Sequence, residues 1–275
     1  MARQTTALIY DNLRLVDADK LRRLVRTGAY EGYTGGLAGG KLQANVVIVP
    51  RRFAGDFHQF CVRNPKPCPL VGVSRAGSPL LPALGDIDIR TDAPQYNIYC
   101  FGEVIRRKTD IIDLWRDDFA AFALGSSLTV EAALAGKGIK LRSIGSGKAL
   151  PKFRTRIETH GVGPFGGEMV VSMRPIRRCD VDKVRVLTAR FPHAHGSPIH
   201  VGDPSIIGIR DLMAPDWGDA VEIMEGEVPV FWASSLTAQD ALARAELAIS
   251  ITVSPGHMLI TDLDARADAG AFKVY

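Results

Sequence analysis

Four cysteines in 275 residues, at positions 61, 68, 100 and 179, are too few for a disulfide framework. None forms the C-x-x-C pair of a zinc ribbon. Long apolar runs are missing too: the best candidate, Ala44 to Pro50, is broken by Asn45 and falls far short of the roughly 18 residues that cross a bilayer. Met1-Ala2-Arg3-Gln4 runs on to Asp11, Arg14 and Asp17 without an apolar core or a small-residue cleavage site, so no secretory leader is expected. Charge of one sign is also scarce. Lys and Arg number 34 against 30 Asp and Glu, a net +4, and the basic runs Arg106-Arg107-Lys108 and Arg174 to Arg178 are short. A nucleic-acid partner would call for a basic stripe, so neither nucleic acid nor membrane is expected as a partner. These absences predict a soluble, cytoplasmic protein.

What is present is ordinary globular material: 46% apolar residues, 23% charged residues, 27 glycines and 16 prolines, enough for one large domain or two modest ones. Asp17 is placed to cap a helix carrying Leu21, Leu24 and Val25 on one face, with Gly28 as its stop. Val46 to Val49 reads as a buried strand closed by Pro50. Phe53, Phe57, Phe60 and Cys61 repeat at helical spacing up to Pro65. Further strands are expected at Leu70–Val73, Tyr96–Phe101, Ile139–Ser143, Phe153–Ile157, Met169–Met173, Val228–Trp232 and Ile249–Val253. Helices are expected at Asp113–Leu124, Thr129–Ala135, Asp180–Ala189 and Thr237–Leu247, the last opened by a capping box from Thr237 to Asp240. No internal repeat at a fixed period is visible.

This alternation predicts an α/β (mixed α+β) fold, a mixed sheet with flanking helices. No Pro/Ser-rich linker divides the chain, so a second domain has to be inserted. The expected arrangement is a smaller α+β unit at 113–204 within a larger discontinuous domain of 1–112 plus 205–275.

Several motifs fail on chemical grounds. Gly161-Val162-Gly163-Pro164-Phe165-Gly166 spells G-x-G-x-x-G, but a dinucleotide fingerprint needs a helix opening inside it. Pro164 and a following strand point to a glycine-rich turn instead, or to a loop whose amides approach an anion. Gly145-Ser146-Gly147-Lys148 lacks the spacing of a P-loop, and Gly72-Val73-Ser74-Arg75-Ala76 lacks the last glycine of a nucleophile elbow.

His193, His195 and His200 share one Pro/Gly-punctuated stretch with Asp203. The spacing matches no defined metal motif, so no metal and no cofactor is expected. An imidazole at position 195 or 200 suits a proton donor or anion contact near neutral pH. His257 follows an apolar strand, where α/β sheets open their crevices. Arg63, Arg90, Arg154 and Arg174 sit in sharp contexts; a guanidinium fork suits a carboxylate ligand, while salt bridging is the better reading for Arg90. These residues point to a small anionic metabolite, an amino acid or carboxylic acid, as partner.

Specific strings carry a resemblance. Gln43-Ala44-Asn45, Arg63-Asn64-Pro65-Lys66-Pro67-Cys68-Pro69-Leu70, Asp88-Ile89-Arg90-Thr91-Asp92 and Leu114-Trp115-Arg116-Asp117-Asp118 look like the D-glutamate cyclase family of hydro-lyases. So do Val171-Ser172-Met173-Arg174-Pro175, His195-Gly196-Ser197-Pro198-Ile199-His200 and Pro255-Gly256-His257-Met258. The resemblance implies a mixed α/β fold with a smaller inserted domain and a lyase that converts D-glutamate to 5-oxo-D-proline and water. It transfers no set of catalytic residues. Ser126 and Ser234 stand where many relatives carry Cys, so either a covalent thiol is dispensable or this member differs.

For such a cyclisation, Arg154 and Arg174 would hold carboxylates, with Ser126 and His195 beside the substrate. Amides of the Gly163–Gly167 loop, including Gly166 and Gly167, would face the oxyanion. Glu131 or Asp203 would act as base and His200 or His257 as proton shuttle. Glu131 also suits the first turn of its helix. Two rivals are a non-catalytic binding protein for a small acidic metabolite and dehydration of another hydroxy acid. A homo-oligomer is only the general prior for a soluble enzyme.

Overall fold

A computed structural model describes residues 10, 12–139, 141 and 149–266. The expected strand Ile139–Ser143 lies largely outside the described residues, and the Gly145–Lys148 loop wholly so. The architecture is α+β, built on two open antiparallel sheets.

Helix α1 (Ala18–Arg26) buries Leu21 and Val25 as the spacing predicts, with Leu24 partly buried beside them, and it also buries Ala18 and Arg22. Asp17 sits at its N-cap position but makes no side-chain cap bond. Strand β1 (Lys41–Pro50) is buried almost end to end; α2 (Arg51–Arg63) and β2 (Leu70–Val73) follow. Next come β3 (Tyr96–Cys100), β4 (Glu103–Lys108) and β5 (Phe119–Gly125). These strands join β10 (Ser250–Val253) and β11 (Leu259–Asp264) in a seven-stranded sheet ordered β2-β5-β1-β10-β3-β4, with β11 also pairing β1. The Arg106–Lys108 run belongs to β4, an outer strand, where charge discourages edge-to-edge pairing.

The expected helix Asp113–Leu124 is not formed. A 3₁₀ turn spans Ile112–Leu114, and Phe119–Gly125 is strand β5, paired to β1 on one side and β2 on the other. Its residues, Phe-Ala-Ala-Phe-Ala-Leu-Gly, are buried on both faces, and a short apolar run of that kind looks alike in a buried strand or helix. Pairing on both edges outweighs the helical preference of alanine.

Helix α3 (Leu128–Ala135) then leads towards the second sheet. That sheet comprises β6 (Lys152–Glu158), β7 (Glu168–Arg177), β8 (His200–Val201) and β9 (Glu227–Ala233), in the order β6-β7-β9-β8. Helix α4 (Val181–Ala189) lies between β7 and β8 in the chain, and α5 (Leu236–Arg244) follows β9. The expected capping box is absent: α5 starts one residue before Thr237, whose hydroxyl is given to the backbone of Val170 instead.

On one face of the first sheet, Val47 and Val49 pack with Phe57, Phe60 and Cys61 of α2 and Ala238, Ala241 and Leu242 of α5. The other face buries Leu42, Ala44, Val46 and Ile48 against Leu81, Leu84, Ile87 and Ile89. In the second sheet, Val230, Trp232 and Ile176 meet Leu134 of α3 and Val184 of α4. Among the described residues no helix is long and apolar enough to cross a membrane.

Candidate functional site

The chain builds the same strand–turn–helix unit twice. Ser126-Ser127-Leu128-Thr129 follows β5 and Ser234-Ser235-Leu236-Thr237 follows β9, with Ala-Leu-Ala further along each helix. The first serine amide donates to a neighbouring strand, Ser126 to the carbonyl of Gln43 at 3.0 Å and Ser234 to that of Val170 at 2.9 Å. The threonine hydroxyl accepts an amide from the same strand residue, at 3.3 Å from Gln43 and 3.0 Å from Val170. The first serine hydroxyl accepts the amide of the leucine that opens each helix, Leu128 or Leu236. Local hydroxyl capping of this kind is how Ser and Thr fix a helix start. The sequence reading saw no internal repeat at a fixed period and missed this duplication; the identical Ser-Ser-Leu-Thr strings were its signal.

The two units reach into each other. Asn45 of β1 donates to Ser235 at 2.8 Å, and Arg174 of β7 donates to Ser127 at 3.2 Å. Pairing of Ala44 with Gly125 and of Val171 with Ala233 makes Asn45 equivalent to Ser172, and Val47 to Arg174. Along the helices, Glu131 corresponds to Gln239. The charged contact between the two units therefore occurs once, the equivalent positions being Val47 and Gln239.

Arg174 is the centre of that contact. Its side chain is 3% exposed and pairs with Glu131, 14% exposed. Nε and Nη2 both donate to Glu131 Oε1, at 3.0 and 2.7 Å, while Nη1 donates to Ser172 at 3.2 Å. The guanidinium also lies over the ring of Trp232, 5.4 Å from its centroid. Among the described residues one N–H of Arg174 Nη1 and Glu131 Oε2 keep no partner, so the pair retains one donor and one acceptor.

Three further groups feel this charge. His195 is buried, and its Nδ1 donates to the carbonyl of Lys66 at 2.7 Å. Burial, with Arg174 nearby, holds its pKa down to about 4, so His195 is a neutral imidazole near pH 7. The hydroxyl of Tyr33 is pushed well above the usual tyrosine range, by burial first and then by Glu131. Its ring packs at Gly256, where a Cβ would meet Cε2 at 2.4 Å. Gln43 ties the Tyr33 loop to β1 through Nε2 donations to Thr34 and Leu37. Lys152, across from Ser172 on β6, is the third group.

The structure thus gathers Glu131, Arg174, Ser126 and His195 of the sequence candidates. His257 lies one residue beyond the Gly256–Tyr33 contact, with its pKa lowered by burial. Others lie elsewhere. His200 pairs with Phe231 and packs on its ring, on the face opposite Arg174. Asp203 caps a 3₁₀ turn at Ser205, whose donors hold its carboxyl below the usual range. Arg154 is shared between Asp216 and Asp240 and stacks on Trp217. The Gly161–Gly166 motif is a hairpin turn closed between Val162 and Phe165; Phe165 anchors it on Phe57 and Phe60. Gly166 and Gly167 precede β7 by two residues and one, and Gly167 to Arg174 is roughly 23 Å at about 3.3 Å per strand residue. Among the described residues no three His, Cys, Asp or Glu side chains cluster as a metal site would need.

Sequence reasoning missed Ser127, Ser172, Asn45, Ser235, Tyr33 and Lys152. Ser127 and Ser235 were signalled only by the repeated Ser-Ser-Leu-Thr string, Asn45 meets Ser235 across the two units, and Ser172 reaches Arg174 through the chain of β7.

Comparison with known proteins places these residues in a lineage. A family model described as D-glutamate cyclase matches residues 120–262, a span that includes Ser126, Glu131, Lys152, Arg174, His195 and Ser235. A Jannaschia protein named "Putative hydro-lyase" is 53% identical, over 94% of this chain and 97% of its own. A Bordetella pertussis protein of the same designation is 49% identical over 94% of each chain, and one from Dinoroseobacter shibae is 51% identical over 94% of this chain and 87% of its own.

Proposed function

The chain belongs to the D-glutamate cyclase family, and from that premise we propose that it is a hydro-lyase converting D-glutamate to 5-oxo-D-proline and water at the Arg174–Glu131 centre. The observation that carries this reading is the buried guanidinium with one unused donor beside a carboxylate with one unused oxygen.

Cyclisation joins two groups of one molecule, so the protein has to hold a folded conformer and stabilise charge at the attacked carboxyl carbon. The free donor of Arg174 suits an oxygen that becomes negative as the amine adds. Glu131 and the two serine hydroxyls keep the guanidinium from rotating, which preorganises that donor. Neutral His195 adds an uncharged wall with Nε2 as an acceptor.

The test is a mass-spectrometric time course of purified chain with D-glutamate. Wild type is expected to accumulate 5-oxo-D-proline, and Arg174→Met to lose about 10²–10³ in rate, the usual cost of one oxyanion donor. Binding of D-glutamate without product would favour a carrier or sensor of acidic metabolites. Turnover of another acid from a panel of D-amino and hydroxy acids would replace the substrate while keeping the lyase.

A further inference from the structure

Lys152 pairs directly with Ser172 across β6 and β7, so their side chains share a face. Ser172 in turn receives Nη1 of Arg174. The lysine amine therefore stands beside the Arg174–Glu131 pair, half-buried. Among the described residues it makes no ion pair and no hydrogen bond.

The groups around it are unequal. Arg174 on β7 opposes its protonation, and Glu131 on α3 favours it. Arg154, two residues along β6, is already held by Asp216 and Asp240. Tyr33, near both Glu131 and Arg174, stays un-ionised. Burial and the guanidinium win: the pKa of Lys152 is pushed down to about 8. A lysine desolvated beside a fixed cation is the usual way to obtain a neutral amine near physiological pH.

We propose that Lys152 is the proton carrier of the ring closure, a role that rests on the D-glutamate reading. Its neutral amine takes one proton from the substrate ammonium. The freed amine attacks the side-chain carboxyl carbon, forming the C–N bond, and Lys152 hands that proton to one carboxyl oxygen. Lys152 then takes a second proton from the new N–H₂⁺ and passes it to the same oxygen. The C–O bond breaks, water leaves, and Lys152 ends neutral as it began. No oxidant, metal or co-reactant enters the balance.

Two measurements on the full chain test this. Lys152→Met is expected to lower kcat/KM by about 10²–10⁴, the usual worth of a proton-transfer group, and to abolish a rise in rate centred near pH 8. Lys152→Arg should not restore activity, because a guanidinium does not release its proton. Trace acetylation followed by mass spectrometry should titrate Lys152 near pH 8, and D-glutamate should suppress its labelling. Lys152 labelling like exposed lysines, near 10.4, overturns the proposal whatever the turnover. Lys152→Met within tenfold of wild type overturns it and leaves the D-glutamate reading standing. Wild type that forms no product overturns both, and a Lys152 that still titrates near 8 then puts the fault in the substrate rather than the amine.

Discussion

Asn45 donates a 2.8 Å hydrogen bond to Ser235, a serine that belongs to the other copy of the duplicated unit. The contact is returned when Arg174 reaches Ser127. Each half thus completes the turn of its counterpart, and the charged contact between them occurs once.

That interlock has a measurable cost when broken. Asn45 is buried, so Asn45→Ala is expected to lose about 1–2 kcal/mol in urea denaturation. Ser235→Ala should cost a similar amount. The double variant should cost clearly less than the two added together, because both remove one bond; strict additivity would show that the bond carries nothing.

Arg174 and Glu131 form a pair shielded from water, where losing one partner strands the other. Arg174→Met is expected to destabilise by about 3–5 kcal/mol, and Arg174→Met with Glu131→Gln to recover part of that loss. A single variant as stable as wild type would contradict the burial of the pair.

The pH dependence of stability follows from His195. An unfolded histidine titrates near 6.5, whereas burial holds this one at about 4. Between those values the unfolded chain binds a proton that the native chain does not. Stability therefore rises with pH across that window and is lost as pH falls from 6.5 towards 4. His193 and His257 shift the same way and contribute to the slope. Asparagine accepts the left-handed backbone at position 195 (φ 76°), so His195→Asn is expected to flatten the profile by up to about 3 kcal/mol. Superimposable profiles for the two chains would remove His195 from the acid response.

Gly125, the last residue of β5, is packed against backbone. A Cβ there would lie 1.7 Å from the carbonyl oxygen of His193. Gly125→Ala is expected to cost about 1–3 kcal/mol through displacement of that segment, and to reduce activity by moving the neighbouring Ser126–Ser127 turn. Unchanged stability would mean that the two segments can separate freely.

The β1, α2 and β7 regions were legible because their apolar residues follow a clear period, or run unbroken up to proline. The Asp113–Leu124 segment was misread because alanine-rich apolar runs fit both a helix and a strand with two neighbours. For the site, Arg174, Glu131, Ser126 and His195 were legible from residue type. Arg154 looked equivalent to Arg174 in sequence, yet it lies near acidic partners and solvent, whereas Arg174 is enclosed.

The sequence by itself determined the α+β class, the family and the chemical types present, since these depend on local pattern and on long shared strings. Only the tertiary structure decided which arginine stands at a buried centre, and that Lys152 stands beside it. It also decided that His200 faces away and that Asp203 caps the turn at Ser205. Strand pairing sets those outcomes: side chains alternate across a sheet, so a residue's neighbours are fixed by register with distant strands rather than by the letters beside it.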